Sequence, residues 1–315
     1  MLAPVALTGL AIGFCASPDD VSHRNLRASD AAPYLKPDLE VDTNLVQIPV
    51  TVTDKVGRVI EHLEKNNFTV YENGVEQPII HFGSQELPVS ICLAIDTSGS
   101  MARKFQKSVE AVLELLRASD PEDEYCVIRF SDSAEVVVRM TRDTAQVSKA
   151  LHHIYPYGWT ALLDAVHLAT QEVKTGHNRR KVIVLISDGG DNRSRSSEKS
   201  VERLVRESEA QIYSIGIVAS DDQTLYPVAV DGRSLMRSIS NESGGLLFLI
   251  NEVDELPSAI RAIESAIRHQ YLLGYYPAIN RADGKYRRVK VKLRSPDGAS
   301  HLKAYWRTGY YAPAK

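Results

Sequence analysis

The chain has 315 residues, of which 43% are hydrophobic and 24% are charged. This length and composition fit a globular protein with one large core and a second domain. The net charge of −3 excludes a general electrostatic attraction to nucleic acid or to anionic membranes. A binding partner must therefore be recognised at a local site.

The start of the chain is predicted to lie outside the folded core. Residues 1–17 are small and apolar, too few for a comfortable membrane span, so no stable span is expected in the mature chain. They lack the basic residues that open a secretory signal, and we interpret them as a signal-like segment with a misplaced start in preference to a disordered tail. Bulky Phe14 argues against Cys15 as a lipid anchor. Residues 18–42 are polar and contain prolines, which predicts a linker.

Short antiparallel strands are predicted at both ends of the remaining chain. Residues 43–87 alternate apolar and polar positions and contain the hairpin signal Asn73-Gly74. Residues 269–312 show a second set of short alternating runs separated by glycine turns. Because so few strands bury little surface alone, we expect the two segments to form one discontinuous β-sandwich.

Residues 88–268 are expected to be inserted between the two halves of this sandwich. Predicted strands and helices alternate along them, which is typical of a doubly wound, Rossmann-like α/β domain with a mostly parallel sheet. Cys92 and Cys126 lie in two of the predicted buried strands. An apolar strand position explains a cysteine without oxidation, so we expect free thiols, although three cysteines permit one internal bridge and leave this pairing open.

One buried strand of this region leads into a loop rich in oxygen ligands. The apolar run 89–95 is followed by Asp96, Ser98 and Ser100 at alternate positions, with Gly99 where the chain must turn. Carboxylate and hydroxyl oxygens are the ligands that Mg²⁺ and Ca²⁺ prefer. The spacing alone also fits a strand-to-helix turn with capping serines.

Two later segments supply further oxygens in the same context. Thr160 follows a glycine turn that opens a predicted helix, and Asp188 follows the apolar run 181–187. In open parallel sheets, ligands collect in the crevice beyond the carboxyl ends of the strands. We therefore expect these side chains to meet in one metal site.

The order and context of these motifs resemble the von Willebrand factor A domain family and its metal-ion-dependent adhesion site. The resemblance covers roughly residues 88–268. The family pattern, Asp-x-Ser-x-Ser followed by a distant Thr and a distant Asp, is matched by Asp96, Ser98, Ser100, Thr160 and Asp188. The two ends of the chain are similar to a bacterial group of secreted proteins with a von Willebrand factor A-related domain. This similarity implies a secreted or cell-envelope (periplasmic) location.

The resemblance implies a non-catalytic adhesion module. A Mg²⁺ ion, with Mn²⁺ or Ca²⁺ as alternatives, would keep one coordination position open for an Asp or Glu of a partner protein. The alternatives are a metal-assisted hydrolase, for which no general base is evident near the ligands, and a domain whose metal only stiffens its loops. Asp191 is a candidate neighbour of the ligands or simply part of a polar loop, and Trp159 either anchors a partner at the rim or packs under the loop.

Overall fold

The structure is a computed structural model that describes five stretches of the chain: 45–84, 87–218, 228–278, 281–295 and 301–314. The signal-like segment predicted at 1–17 and the linker predicted at 18–42 lie outside the described residues. None of the helices in these stretches is long and apolar enough to cross a membrane.

The described residues contain fourteen strands, numbered here in chain order. They are β1 (Val46–Thr53), β2 (Phe68–Glu72), β3 (Val75–Gln77), β4 (His81–Ser84), β5 (Val89–Asp96), β6 (Glu124–Phe130), β7 (Ala134–Thr141), β8 (Arg180–Ser187), β9 (Gln211–Ile217), β10 (Leu247–Ile250), β11 (Tyr271–Tyr275), β12 (Tyr286–Leu293), β13 (Lys303–Tyr305) and β14 (Gly309–Tyr311). The helices of these stretches are α1 (Phe105–Arg117), α2 (Thr144–Leu151), α3 (Leu162–Glu172), α4 (Glu198–Glu207), α5 (Val228–Ser243) and α6 (Leu256–Arg268).

A six-stranded mixed sheet in the order β10-β9-β8-β5-β6-β7 forms the centre of the α/β part. All of its strand pairs are parallel except β6 with β7, which is antiparallel. Alternate residues of β5 belong to two hydrophobic clusters: Leu93 packs with α1, α2 and α6, and Ala94 packs with α3, α4 and α5. Because β5 is buried on both faces, its sequence is continuously apolar. The predicted doubly wound, mostly parallel α/β fold is confirmed.

Two four-stranded antiparallel sheets flank this unit, in the orders β13-β1-β11-β4 and β14-β12-β2-β3. Each sheet combines strands from 46–84 with strands from 271–311, and the apolar faces of both contribute to one buried cluster. Within this cluster, Glu72 accepts hydrogen bonds from the hydroxyls of Tyr275 (2.9 Å) and Tyr310 (2.7 Å). Treating these sheets as a separate sandwich domain, 43–87 with 269–312, remains our proposal.

A polar junction joins the flanking sheets to the amino end of the central sheet. The buried amide of Gln270, between α6 and β11, donates to Thr51 Oγ1 (3.1 Å), to Gln211 Oε1 (3.0 Å) and to the hydroxyl of Tyr213 (2.9 Å). Arg180, the first residue of β8, donates to Gln270 Oε1 at 2.7 Å. The path of the chain from α6 into β11 is therefore fixed on several sides.

The expectation of free thiols at Cys92 and Cys126 is wrong. These residues are direct partners in the register of β5 and β6, with Cα atoms 4.6 Å apart, and they form a disulfide. The physical reason is that directly paired residues of neighbouring strands point to the same face of the sheet, so the two sulfur atoms meet in the core. Burial explains why a cysteine fits at each position, but the direct pairing of the two positions across the strands decides that a disulfide forms.

Candidate metal-binding site

The candidate site begins at the carboxyl ends of two neighbouring strands. Asp96 is the last residue of β5 and Ser187 is the last residue of β8, which pairs with β5. The Asp96 carboxylate accepts a hydrogen bond from the backbone N–H of Ser98 at 2.8 Å and another from the hydroxyl of Ser187. Asp96 is completely buried. Its carboxylate is therefore held in one orientation at the floor of the site.

Hydrogen bonds connect the next predicted ligands into one group. The hydroxyl oxygens of Ser98 and Ser100 lie 3.1 Å apart, and the Ser100 hydroxyl donates to Asp188 Oδ1 at 2.9 Å. Ser98 is buried, whereas Ser100 is exposed to solvent. The structure thus brings Asp96, Ser98, Ser100 and Asp188 together in an arrangement that runs from the core to the surface.

Thr160 is placed beside this group by the backbone of its own loop. Its N–H donates to Asn192 Oδ1 at 2.9 Å, and its carbonyl accepts from the Asn192 N–H at 3.0 Å. On the other side, the Gly158 carbonyl accepts from the Gly99 N–H at 3.0 Å. The Thr160 loop is therefore bonded to both of the loops that carry the other candidate ligands. The sequence pattern does not reveal the role of Asn192.

The electrostatics of the group fit a divalent cation. Burial, together with the negative charge of Asp188, raises the pKa of Asp96 to about 7 despite the hydrogen bonds from Ser187 and Ser98, which lower it. Two carboxylates with adjacent hydroxyls form the hard-oxygen donor set that suits Mg²⁺, Mn²⁺ or Ca²⁺, and a cation among them would offset the repulsion of the carboxylates. The residues present therefore fit such an ion.

A lysine that the sequence analysis missed also lies in the site. The Nζ of Lys104 forms an ion pair with Asp188 Oδ2, and the two side chains are only 14% and 2% exposed. Lys104 directly precedes α1 and follows Ser100 by about one helical turn. This spacing is the sequence signal that could have placed a cation next to the serine loop.

Asp191 and Trp159 occupy different positions. The Asp191 carboxylate accepts from the N–H of Leu162 (3.0 Å) and from the hydroxyl of Ser194 (2.6 Å), so it caps the first turn of α3 from a neighbouring loop. Trp159 is 60% exposed, and its backbone N–H donates to Asp132 Oδ1 at 3.0 Å. Asp191 supports the helix that follows Thr160, whereas Trp159 presents its ring to solvent.

Among the residues that the structure describes, no group of three or more His, Cys, Asp or Glu side chains could hold a metal ion. The candidate site is of a different kind, because it combines two carboxylates with hydroxyl oxygens. A site of this composition suits hard cations better than zinc, which favours nitrogen and sulfur ligands.

Comparison with known proteins agrees with the fold. Residues 91–191 match the family profile described as the von Willebrand factor type A domain. A structure titled von Willebrand factor type A from Catenulispora acidiphila has a TM-score of 0.51 at 13% identity, covering 87% of this chain and 74% of that one. The described residues therefore have a von Willebrand factor type A fold with a mixed, mostly parallel central sheet.

Two curated relatives and one further structure extend the comparison. Inter-alpha-trypsin inhibitor heavy chain 4 of Mus musculus is 27% identical over 191 residues, and a Synechocystis protein of unassigned function is 33% identical over 116 residues. These matches cover 54% and 34% of this chain but only 20% and 28% of the relatives, so the chain spans about a quarter of their length.

The further structure is proximal thread matrix protein 1 from the mussel byssus, described with a zinc-occupied adhesion-site motif. It has a TM-score of 0.50 at 18% identity and covers 62% of this chain and 49% of that one. At this identity the likeness shows the fold alone.

Proposed function

We propose that this protein is a non-catalytic, divalent-metal-dependent binding module that captures an acidic side chain of a partner protein through Mg²⁺. One observation carries the proposal: the oxygens of Asp96, Ser98, Ser100 and Asp188 converge at the carboxyl edge of the sheet, and the outermost is open to solvent. Von Willebrand factor A domains are typically adhesion or protein-interaction modules, which supports the same reading.

Each residue has a distinct part in this proposal. Asp96, Ser98, Ser100, Thr160 and Asp188 would hold the ion, for which Mn²⁺ and Ca²⁺ are alternatives. A bound ion would supply a positively charged open position for a carboxylate. Other contacts of the chain hold these ligands in position. The Ser187 hydroxyl donates to the Asp96 carboxylate, and the hydrogen bonds between the three loops keep the ligand hydroxyls in place.

A metal-assisted hydrolase is the second candidate function. Such an enzyme needs a general base beside the metal, usually a histidine or a carboxylate with a partner of its own. In the described part of the chain, no hydrogen bond joins a histidine to the five candidate ligands, and the nearby carboxylate of Asp191 caps a helix. A purely stabilising metal is the third candidate, and it differs from the first only in lacking a partner.

The exposed surface beside the site favours a protein partner. Tyr155, Tyr157 and Trp159 are 74%, 50% and 60% exposed. The loop that carries them is rigid, because the Tyr157 N–H donates to the Thr97 carbonyl at 2.7 Å and the Tyr157 ring lies against Arg129. Exposed aromatic side chains on a fixed backbone are typical anchors of protein interfaces. They would contact residues that flank the captured carboxylate.

The disulfide supports a location outside the reducing cytosol. Buried structural disulfides are typical of secreted and periplasmic proteins. The bridge between Cys92 and Cys126 therefore favours secretion or the cell envelope for this chain.

Calorimetric titration of Mg²⁺ into the chelator-stripped protein tests the proposal. The parent and Asp254→Asn, a control at an aspartate that is 86% exposed on the surface, should show saturable binding at one site. Asp188→Asn and Ser98→Ala should lose it. Absence of binding in the parent, or full binding in both site variants, would refute the proposed metal-dependent function.

Selection of a displayed random peptide library in Mg²⁺, followed by elution with EDTA, then tests the partner. Peptides containing Asp or Glu should be enriched on the parent and not on Asp188→Asn. Equal enrichment on both proteins would mean that peptide capture does not depend on the metal, whose role would then be stabilising only.

A further inference from the structure

The ion pair between Lys104 and Asp188 places a positive charge inside the candidate metal site. Lys104 Nζ bonds to Asp188 Oδ2, while Asp188 Oδ1 accepts the hydroxyl of Ser100, so both oxygens of this carboxylate are engaged. Asp96 and Asp188 carry two negative charges when both are ionised, and Lys104 compensates one of them. Burying a lysine is costly unless it is paired, which indicates a specific arrangement.

Binding a lysine ammonium and a divalent cation to this one carboxylate at the same time is opposed by their electrostatic repulsion. Two like charges about 4 Å apart repel each other by roughly 4 kcal/mol at the effective dielectric of a protein surface, and two positive charges on one ion double that value. The Lys104 ammonium must therefore leave Asp188 when a divalent ion binds next to it.

The backbone around Lys104 allows this exchange without unfolding. Its N–H donates to the Met101 carbonyl at 2.8 Å, and its own carbonyl accepts from the N–H (3.0 Å) and the hydroxyl (3.1 Å) of Ser108 in α1. The backbone is thus fixed at the start of the helix. The side chain has a flexible four-carbon stem, and the site opens to solvent at Ser100, so rotation of the stem alone can release the ammonium.

We propose that Lys104 is a built-in competitor of the metal: its ammonium neutralises Asp188 until a divalent cation displaces it. The inference rests on the proposed metal site and adds a residue that sets its affinity. Lys104 lowers the affinity for the ion and stabilises the fold in its absence. Once displaced, the lysine adds a positive charge beside the loaded site, which suits the acidic side chain of a partner.

Replacing Lys104 tests this inference against a matched control. Lys107→Met removes a half-exposed lysine in the first turn of α1, whose ammonium pairs with Glu110 and Asp254 instead of with the site. Mg²⁺ should bind Lys104→Met about tenfold more tightly than the parent, a difference of about 1.4 kcal/mol in binding free energy. The affinity of Lys107→Met, and that of the charge-retaining Lys104→Arg, should stay within about twofold of the parent.

Thermal unfolding in EDTA gives a second readout that does not depend on metal binding. Lys104→Met should melt at a lower temperature than the parent and than Lys107→Met, and Mg²⁺ should raise its melting temperature by more than it raises theirs.

Each outcome separates the two proposals. If the parent binds Mg²⁺ and Lys104→Met binds it no more tightly, the competitor role is refuted and the metal site stands. If only Lys104→Met binds Mg²⁺, the competitor role stands, because the ligands hold the ion once the ammonium is removed, and the proposed function of the parent as a metal-dependent module is refuted. If no variant binds, both proposals fail.

Discussion

Removing the disulfide between β5 and β6 should lower the free energy of unfolding by about 4 kcal/mol. The bridge joins residues that are 34 positions apart, and the chain-entropy model assigns a closed loop of that length about 3.8 kcal/mol at 25 °C. Cys92 and Cys126 are also fully buried, so replacing both with alanine costs additional packing energy. Comparing the reduced parent with the oxidised parent isolates the loop-closure contribution. Comparing the Cys92→Ala/Cys126→Ala variant with the oxidised parent adds the packing contribution.

Equilibrium urea denaturation, followed by circular dichroism, measures these contributions. The oxidised parent is compared with the parent unfolded and refolded in reductant. The double alanine variant, measured with and without reductant, is the control for other effects of the reductant. We expect the order of stability to be oxidised parent, reduced parent, double variant.

Two results would contradict this reasoning. A difference below about 1 kcal/mol between oxidised and reduced parent would mean that the bridge does not constrain the unfolded chain as the loop length requires. Alkylation of all three cysteines of the denatured, unreduced protein would mean that no bridge forms.

Three further substitutions test the surroundings of the site and the two ends of the molecule. Gly158→Ala should cost about 1–3 kcal/mol and weaken Mg²⁺ binding, because Gly158 has a φ of +76° and a Cβ there would lie 2.7 Å from Asp132 Oδ2. Gly189→Ala, where a Cβ meets nothing within 4 Å, is the control, and equal melting temperatures of the two variants would contradict the prediction. Glu124 is buried, which opposes its ionisation, but hydrogen bonds from the His177 backbone and ring outweigh this and lower its pKa to about 2. Its stabilising contribution is therefore present above about pH 4.5 and is lost as the pH falls towards 2, so the stability difference between parent and Glu124→Gln, from urea titrations at pH 7 and pH 2.5, should shrink at the lower pH. Glu72→Ala should cost about 2–4 kcal/mol in the same assay because two tyrosine hydroxyls lose their acceptor, and a cost below 1 kcal/mol would show that water replaces it.

The central fold could be predicted because its signals are local. The apolar run of β5 and the amphipathic pattern of α1 identify their elements without knowledge of the rest of the chain. The end of each strand then marks where Asp96 and Asp188 lie, and the general rule for open sheets places them at one edge.

The features that the sequence did not predict depend on contacts between distant segments. The pairing of Cys92 with Cys126 follows from the register of two strands, and the register is not visible in either strand alone. The capping of α3 by Asp191 requires the loop after β8 to fold over the helix. The position of Lys104 depends on how α1 starts: a short 3₁₀ turn at Gly99–Met101 comes first, and α1 begins only at Phe105.

The path of the chain through the central sheet has a mechanical consequence. β5 enters the sheet at Val89, a few residues after β4, and ends at Asp96, at the opposite end from the Gln270 junction. A partner pulled away from the candidate site would load β5 along its length, against hydrogen-bonded neighbours on both sides. These bonds would be sheared together instead of being peeled apart one by one.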